Sequence, residues 1–370
     1  MAERPVPEEF LARFREEAES DGFLTFEQFQ ELALYAPRYG YYSRPGSPLG
    51  REGDFYTAPH VTPLFGETLA ERLVAAWAEL SRPERFRVVE LGPGDGMLAS
   101  DLVRRLAPLL PEGTVWEYVL AERSPVLREV ATERLRRVES PRIRLRAAES
   151  LAGLGPFTGV VLANEVLDAQ PARRFRFAEG RWWELGVRLS GDAFREEMRP
   201  LVRPVPGAPL PAQAADGAVL EISPAAEGLL REVADRLSLG LAIFLDYGEE
   251  EGYWTGRPSS GTLTAYRGHR VPADPFESPG TADLSVWVDF TRLRVAARTA
   301  GLVERGFRRQ AEALNAWGFG RLLDQWLKAA PDVTERVRRQ LASKNLLFGF
   351  ERFYALELEA PGSRNGPVRA

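Results

Sequence analysis

From about residue 86 onward, short apolar runs alternate with segments whose apolar residues recur every three or four positions. The apolar runs are typical of buried parallel strands, and the periodic segments are typical of amphipathic helices. Because strands that alternate with helices pack as a parallel sheet covered on both faces, we predict a doubly wound, Rossmann-like α/β fold. The predicted strands are 86–91, 118–121, 142–146, 159–163 and 241–245, and the predicted helices among them are 97–110 and 125–137.

The alternating part and the segments around it divide the chain into three predicted regions. Residues 1–85 combine helical periodicity with a loop rich in Gly, Pro and Tyr, and we predict a helical and loop region that closes the site. Residues 86–360 form the α/β domain, with insertions at about 173–225 and 248–290. The first insertion begins as a hairpin, and residues 248–279 of the second are predicted to be a lid because long irregular segments after strands are often functional. The tail, 361–370, is predicted to be flexible.

A glycine-rich loop follows the first predicted strand and opens a helix. Glycines at such a turn let a ligand approach the backbone, and the free N–H groups of the helix start can bind it. A dinucleotide site would place its third glycine one position later, where this chain has Met97. S-adenosylmethionine fits better because its cationic end would face the acidic Glu90. The alternative is that the loop is only a turn between a strand and a helix. The predicted cofactor residues here are Glu90, Gly92, Pro93, Gly94 and Gly96.

Two further carboxylates follow the second and third strands. Glu122 stands at the carboxyl end of the second strand, where an acid can accept hydrogen bonds from both ribose hydroxyls of a nucleoside. Its alternative role is a helix cap or surface charge, since Ser124 and Pro125 begin the next helix. Glu149 follows the third strand and is predicted to lie near the adenine, with a solvated surface charge as an equally good interpretation.

A polar cluster follows the fourth strand directly, with Asn164, Glu165 and Asp168 in sequence. In open α/β sheets the ligand crevice lies outside the carboxyl ends, near the point where strand order reverses. We therefore predict that these three side chains are catalytic and face the reacting group. Helix capping by Asn164 and Asp168 is the alternative for those two residues.

Composition narrows the function classes. The chain contains no cysteine and only two histidines, so thiol chemistry and a histidine-rich metal site are not expected, and we predict no metal. A net charge of −5 is unusual for a nucleic-acid binder, and no apolar run is long enough to span a membrane. The N-terminus lacks an apolar signal, so we expect a cytoplasmic protein.

Several motifs together resemble the MidA-type methyltransferases, whose mitochondrial member is an arginine methyltransferase that assists respiratory complex I assembly. The resemblance implies a class I methyltransferase sheet of seven strands with the last pair antiparallel. It also implies that residues 53–60, including Thr57 and Pro59, close the cofactor site. The motifs are GYY at 40–42, GDFYTAPH at 53–60, PLFGE at 63–67, VELGPGDG at 89–96, ANEVLDAQP at 163–171, DYG at 246–248, YRGH at 266–269, PGTADL at 279–284 and VDF at 288–290.

These observations predict an S-adenosylmethionine-dependent methyltransferase that acts on a nitrogen, with an arginine side chain of a protein partner as the expected acceptor. Glu165 is favoured over Asp168 for the contact with that acceptor because it is nearer the strand end. Two alternatives remain: a non-catalytic assembly factor that binds the cofactor, and a nicotinamide-dependent oxidoreductase. The sequence does not indicate the oligomeric state.

Overall fold

A computed structural model describes residues 6–44, 57–191, 193–205, 207, 209–250, 261–267, 274–277, 279–360 and 362. The helices are α1 Glu8–Glu17, α2 Phe26–Tyr35, α3 Ala58–Val61, α4 Leu64–Glu79, α5 Met97–Leu109, α6 Pro125–Arg136, α7 Pro224–Arg236, α8 Phe290–Thr299, α9 Gln310–Ala316, α10 Phe319–Lys328 and α11 Val333–Phe348. The strands are β1 Phe23–Thr25, β2 Arg87–Leu91, β3 Trp116–Ala121, β4 Ile143–Ala148, β5 Phe157–Asn164, β6 Arg173–Ala178, β7 Arg181–Ser190, β8 Ala193–Pro200, β9 Val219–Ile222, β10 Leu237–Glu249, β11 Thr264–Tyr266, β12 Asp283–Ser285, β13 Val288–Asp289, β14 Val303–Arg309 and β15 Phe353–Glu359.

The central sheet has the strand order β4-β3-β2-β5-β10-β15-β14, and the two-residue β13 pairs with the end of β10. Strands β4, β3, β2, β5 and β10 are parallel to their neighbours, whereas β15 runs antiparallel to both β10 and β14. The predicted α/β fold is therefore confirmed, including the antiparallel pairing at the end of the chain. The chain moves outward from β2 to β4 on one side and from β5 to β10 on the other, so the strand order reverses between β2 and β5.

Two apolar layers cover this sheet. On one face, α4 and α5 pack on the strands through Leu69 and Leu102, and α11 joins the same core through Leu346. On the other face, α7 and α8 contribute Leu230 and Phe290. Burial on both faces explains why β2 and β5 are nearly continuous apolar runs.

A second sheet joins the N-terminal region to the first insertion. The predicted hairpin is confirmed as β6 and β7, and β1 pairs with β7 so that Phe23 lies opposite Arg188. Phe10, Phe14 and Phe29 pack with Phe194 of β8 in a shared aromatic core. The N-terminal helices α1 and α2 thus pack with the insertion, whereas α4 packs with the central sheet. The division of the chain at residue 85 stays a prediction.

The predicted lid and tail fall mostly outside the described residues, which omit 251–260, 268–273, 278, 361 and 363–370. The part of the lid that is described contains β11, which pairs antiparallel with β12. No helix in the described ranges combines the length and hydropathy that a membrane crossing requires.

Candidate active site

A cavity of about 430 Å³ opens where β2 and β5 end, at the point where the strand order reverses. Crevices at this position of open α/β sheets are the usual ligand sites. The structure brings to its wall every residue that we predicted from the sequence except one. These residues are Thr57, Pro59, Glu90, Gly92, Pro93, Gly94, Glu122, Glu149, Asn164, Glu165 and Asp168.

The exception is Gly96, which does not line the cavity. It has a φ of 77°, and a Cβ on it would lie 2.9 Å from the Cα of Ala131 in α6. The assignment of Gly96 to cofactor binding is therefore corrected. This glycine is needed because α5 begins against α6 with no room for a side chain.

The other glycines of the loop do face the cavity. Gly92 and Gly94 have φ values of 57° and 56°, a left-handed conformation that favours glycine. The N–H of Gly92 donates to the carbonyl of Ala121 at 2.9 Å, which joins the ends of β2 and β3. A Cβ on Gly92 would lie 2.9 Å from Cγ2 of Val166, so a side chain would be crowded there.

Glu90 and Glu122 hold two buried carboxyl groups beside this loop. Glu90 accepts a hydrogen bond from the Tyr118 hydroxyl, and burial raises its pKa to about 7. Glu122 accepts hydrogen bonds from the N–H groups of Ser124, at 2.8 Å, and of Gly94. Burial raises the pKa of Glu122, and these backbone donors oppose that effect. Ser124 itself caps α6 by accepting from the N–H of Leu127, so the cap role does not fall to Glu122.

The short helix α3 is fastened to the glycine loop. The imidazole of His60 lies 2.8 Å from the hydroxyl of Thr57 and 3.3 Å from a carboxylate oxygen of Asp95. Arg134 donates to the same Asp95 oxygen at 2.8 Å. These contacts hold Thr57 and Pro59 against the cavity, as the family resemblance implied. Residues 53–56 of the same motif lie outside the described residues.

Glu165 occupies a strained position at the end of β5. Its φ is 53°, which is uncommon for a residue other than glycine and marks a conformation that the surroundings impose. Its carboxylate accepts from the N–H of Ala58 at 3.3 Å and from the Asn164 amide at 3.1 Å. The Glu165 side chain is half-buried and lines the cavity. Desolvation, followed by the nearby Asp168 carboxylate, raises its pKa to about 8.

Asp246 shapes the turn that carries these groups. One of its oxygens accepts from the N–H groups of Val166, Leu167 and Asp168 at 3.1, 2.8 and 3.4 Å. Burial raises the pKa of Asp246 to about 7, and burial together with Asp246 raises the pKa of Asp168 well above its usual range. The Oδ1 atom of Asp168 has no hydrogen-bond partner among the described residues.

The structure adds a carboxylate and two aromatic rings that we did not assign from the sequence. Asp283 of β12 lines the cavity, is only 4% exposed, and accepts from the Tyr42 hydroxyl at 2.7 Å although the two residues are 241 positions apart. Tyr42 stacks on Tyr35 with ring centroids 5.5 Å apart. The only signal for Asp283 was its place in the PGTADL motif, which gave no role.

The cavity wall is strongly acidic. It carries eight carboxyl groups, whereas Arg123 is the one arginine and lysine is absent among the described wall residues. We call Glu90, Gly92, Gly94 and Glu122 the loop end of the cavity. Glu165, Asp168 and Asp283 form the acid end. Such a wall favours cationic ligands, because opposite charges stabilise the ionised carboxylates.

This sheet order, with a glycine loop and two acids at its centre, defines a class I S-adenosylmethionine-dependent methyltransferase. A family model described as "Putative S-adenosyl-L-methionine-dependent methyltransferase" matches residues 68–308. The chain belongs to this MidA-like family, and its cofactor is S-adenosylmethionine.

A crystal structure of a protein from Burkholderia thailandensis bound to S-adenosyl-homocysteine is similar throughout. It has a TM-score of 0.82 and 30% identity, over 97% of this chain and 95% of that chain. A native crystal structure from the same organism gives a TM-score of 0.81 and 31% identity, over 96% and 95% of the two chains.

Curated relatives also cover most of the chain. The mitochondrial protein arginine methyltransferase NDUFAF7 homolog of Drosophila melanogaster is 29% identical, over 77% of this chain and 69% of its own length. The mitochondrial protein arginine methyltransferase NDUFAF7 of Bos taurus is 29% identical, over 74% of this chain and 66% of its own length. This chain thus spans about two thirds of each relative. The expected cytoplasmic location was wrong by this comparison, because these relatives are named as mitochondrial proteins.

Proposed function

We propose that this enzyme methylates a nitrogen of an arginine side chain in a protein partner, such as a component of a respiratory complex. The observation that carries the proposal is the acid end, where Glu165, Asp168 and Asp283 meet in one cavity. Burying several carboxylates without a cation is costly, so a site of this kind suits a cationic acceptor. The names of the mitochondrial relatives, which are protein arginine methyltransferases, support the same acceptor.

The loop end would hold the cofactor. S-adenosylmethionine supplies a methyl group on a cationic sulfur, and a nitrogen lone pair displaces the sulfur in line. We propose that Glu122 accepts from the ribose hydroxyls and that Glu90 stabilises the cationic end. Gly92, Pro93 and Gly94 leave the backbone accessible, whereas Glu149, Thr57 and Pro59 complete the wall.

The acid end would orient the acceptor. A guanidinium is planar and its electrons are delocalised, so it is a weak nucleophile until one nitrogen is held out of conjugation. Glu165 and Asp168 can accept the N–H groups of the fork and localise a lone pair on one nitrogen, with Asn164 holding Glu165 in place. In the transfer a nitrogen–carbon bond forms and the sulfur–carbon bond breaks. The nitrogen then loses one proton to a carboxylate of this cluster.

The test uses purified protein, methyl-labelled S-adenosylmethionine and an extract of cells that lack this gene. We expect label in protein and, after complete hydrolysis, in methylated arginine. The Gly94→Val variant serves as the control because a branched side chain at a φ of 56° should block the loop. Label in another amino acid would contradict the arginine assignment. Cofactor binding with no transfer to any protein would instead favour the non-catalytic assembly factor.

A further inference from the structure

The outward side of α11 is unusually apolar for a protein surface. Four of the nine large hydrophobic side chains that are exposed among the described residues belong to this one helix. They lie on one face because their spacings are four, four and seven residues. These four residues, which we call the outer face of α11, are Val333, Val337, Leu341 and Phe348, with exposures of 77%, 47%, 62% and 64%.

The core of the enzyme does not require this face. The opposite side of α11 already packs inward through Leu346, which is 1% exposed, and through Ser343, which is 2% exposed. Arg339 on that side donates to the Trp326 carbonyl and lies over its ring at 4.8 Å. The helix is therefore anchored without its outer face. A row of exposed apolar side chains that the fold does not use commonly marks an interaction site.

The charged residues of α11 indicate which kind of partner covers its outer face. Arg336, Arg338 and Lys344 are exposed on α11, although the chain as a whole carries a net charge of −5. Arg338 pairs with Glu335, whereas Arg336 and Lys344 form no ion pair with any described residue. A second copy that docked through the same face would bring these cations together, which is unfavourable. A protein surface with an apolar centre and acidic surroundings is complementary.

The position of α11 connects it to the cavity wall. It packs against α3, the helix that carries Pro59 and follows Thr57 on that wall. A guanidinium is the same on every arginine, so selection of one protein requires contacts outside the catalytic cavity. We propose that the outer face of α11 docks the acceptor protein through an apolar surface bordered by carboxylates. This inference rests on the proposed protein methylation.

The experiment compares transfer to whole proteins with transfer to a short peptide that contains the methylated arginine. The test variant combines Val337→Asp with Leu341→Asp, which removes two apolar contacts and adds two negative charges. Its matched control is Val202→Asp, at a residue that is 85% exposed after β8. We expect the test variant to lower transfer to proteins about tenfold or more while peptide transfer and cofactor binding stay unchanged. The control variant should retain protein transfer, peptide transfer and cofactor binding.

A second variant tests the charges separately. Arg336→Glu combined with Lys344→Glu leaves the apolar residues in place and should also reduce transfer to proteins. The reduction should shrink at high salt, because exposed charges are screened. Equal protein transfer by wild type and both variants would overturn the docking assignment.

Two further measurements test whether something other than the acceptor protein occupies the outer face of α11. A wild-type dimer in sedimentation that the Val337→Asp and Leu341→Asp variant dissociates would assign the face to a second copy. Binding of the wild type to vesicles containing phosphatidylglycerol, lost in the same variant, would assign it to a membrane surface. Either result would overturn the inference. A wild type that labels no protein at all would reject the proposed function itself, which distinguishes the two failures.

Discussion

The loop end and the acid end of the cavity are both lined by buried carboxyl groups, but these groups are held in different ways. At the loop end, Glu90 and Glu122 accept hydrogen bonds from Tyr118 and from backbone N–H groups. At the acid end, Asp168 has an oxygen with no partner among the described residues, and Glu165 stands in a left-handed conformation. Through Asp168, the acid end thus keeps hydrogen-bonding capacity that its described protein neighbours do not satisfy.

This difference indicates how the two ends would work. The carboxyl groups of the loop end are preorganised because protein donors already hold them in place. A ligand can therefore bind there with little rearrangement of the protein. Buried and crowded carboxylates become favourable only when a cation enters, because desolvation, followed by their mutual repulsion, raises their pKa values. The acid end should therefore select its ligand mainly by positive charge.

The largest expected effect distinguishes chemistry from binding. Glu165→Gln keeps the size of the side chain and removes its charge, so methyl transfer should fall about a hundredfold or more. Cofactor affinity should stay nearly unchanged. Turnover assays and calorimetry on one preparation measure both quantities, and Glu232→Gln at the exposed cavity rim is the control. Lost cofactor affinity would instead assign Glu165 to the loop end.

A change at the loop end should give the opposite pattern. Glu122→Ala removes the proposed acceptor for the ribose and should weaken cofactor binding by about 1.5–3 kcal/mol. The acceptor KM, measured at saturating cofactor, should change little. Calorimetric titration with S-adenosylhomocysteine determines the affinity, and an unaltered dissociation constant would remove Glu122 from the binding site.

Asp283 provides the matching test at the acid end. Asp283→Asn should leave cofactor binding intact but weaken acceptor binding by up to about 1.5–3 kcal/mol, observed as a higher acceptor KM. Tyr42→Phe removes only the hydroxyl that donates to Asp283 and should have a smaller effect in the same direction. If both variants keep the wild-type KM, Asp283 does not contact the acceptor.

The last prediction concerns stability as a function of pH. Burial raises the pKa of Glu165 from 4.5 to about 8 and that of Asp246 from 3.8 to about 7. Between roughly pH 4 and pH 8 the native state therefore holds protons that the unfolded chain has released, and the free energy of unfolding falls as pH rises. Thermal unfolding of the cofactor-free protein should show this decline. The decline should be shallower in Glu165→Gln, and equal pH profiles would contradict the buried-charge account.

The loop end is predictable from the sequence because its determinants are local. The strand, the glycines and Glu122 lie within one β-α-β stretch, where spacing indicates geometry. The packing of Gly96 on α6 was not predicted, because a glycine needed for helix packing and a glycine needed for ligand approach look alike in sequence.

The acid end was predicted only in part, because some of its residues are distant in sequence. Glu165 and Asp168 follow a strand and were found, but Asp283 and Tyr42 reach the cavity from segments far apart in the chain. Local periodicity carries no information about such contacts. The helices α9 to α11 between β14 and β15 were likewise not predicted as parts of the fold.

The central claim is that the acid end receives a positively charged guanidinium. The most direct test measures binding of two peptides to the enzyme saturated with S-adenosylhomocysteine. One peptide contains the methylatable arginine, and the other has citrulline, a neutral group of nearly the same shape, in its place. We predict that the arginine peptide binds at least about tenfold more tightly, since charge-assisted hydrogen bonds to carboxylates are lost in the citrulline peptide. Equal affinity for the two peptides would contradict the account.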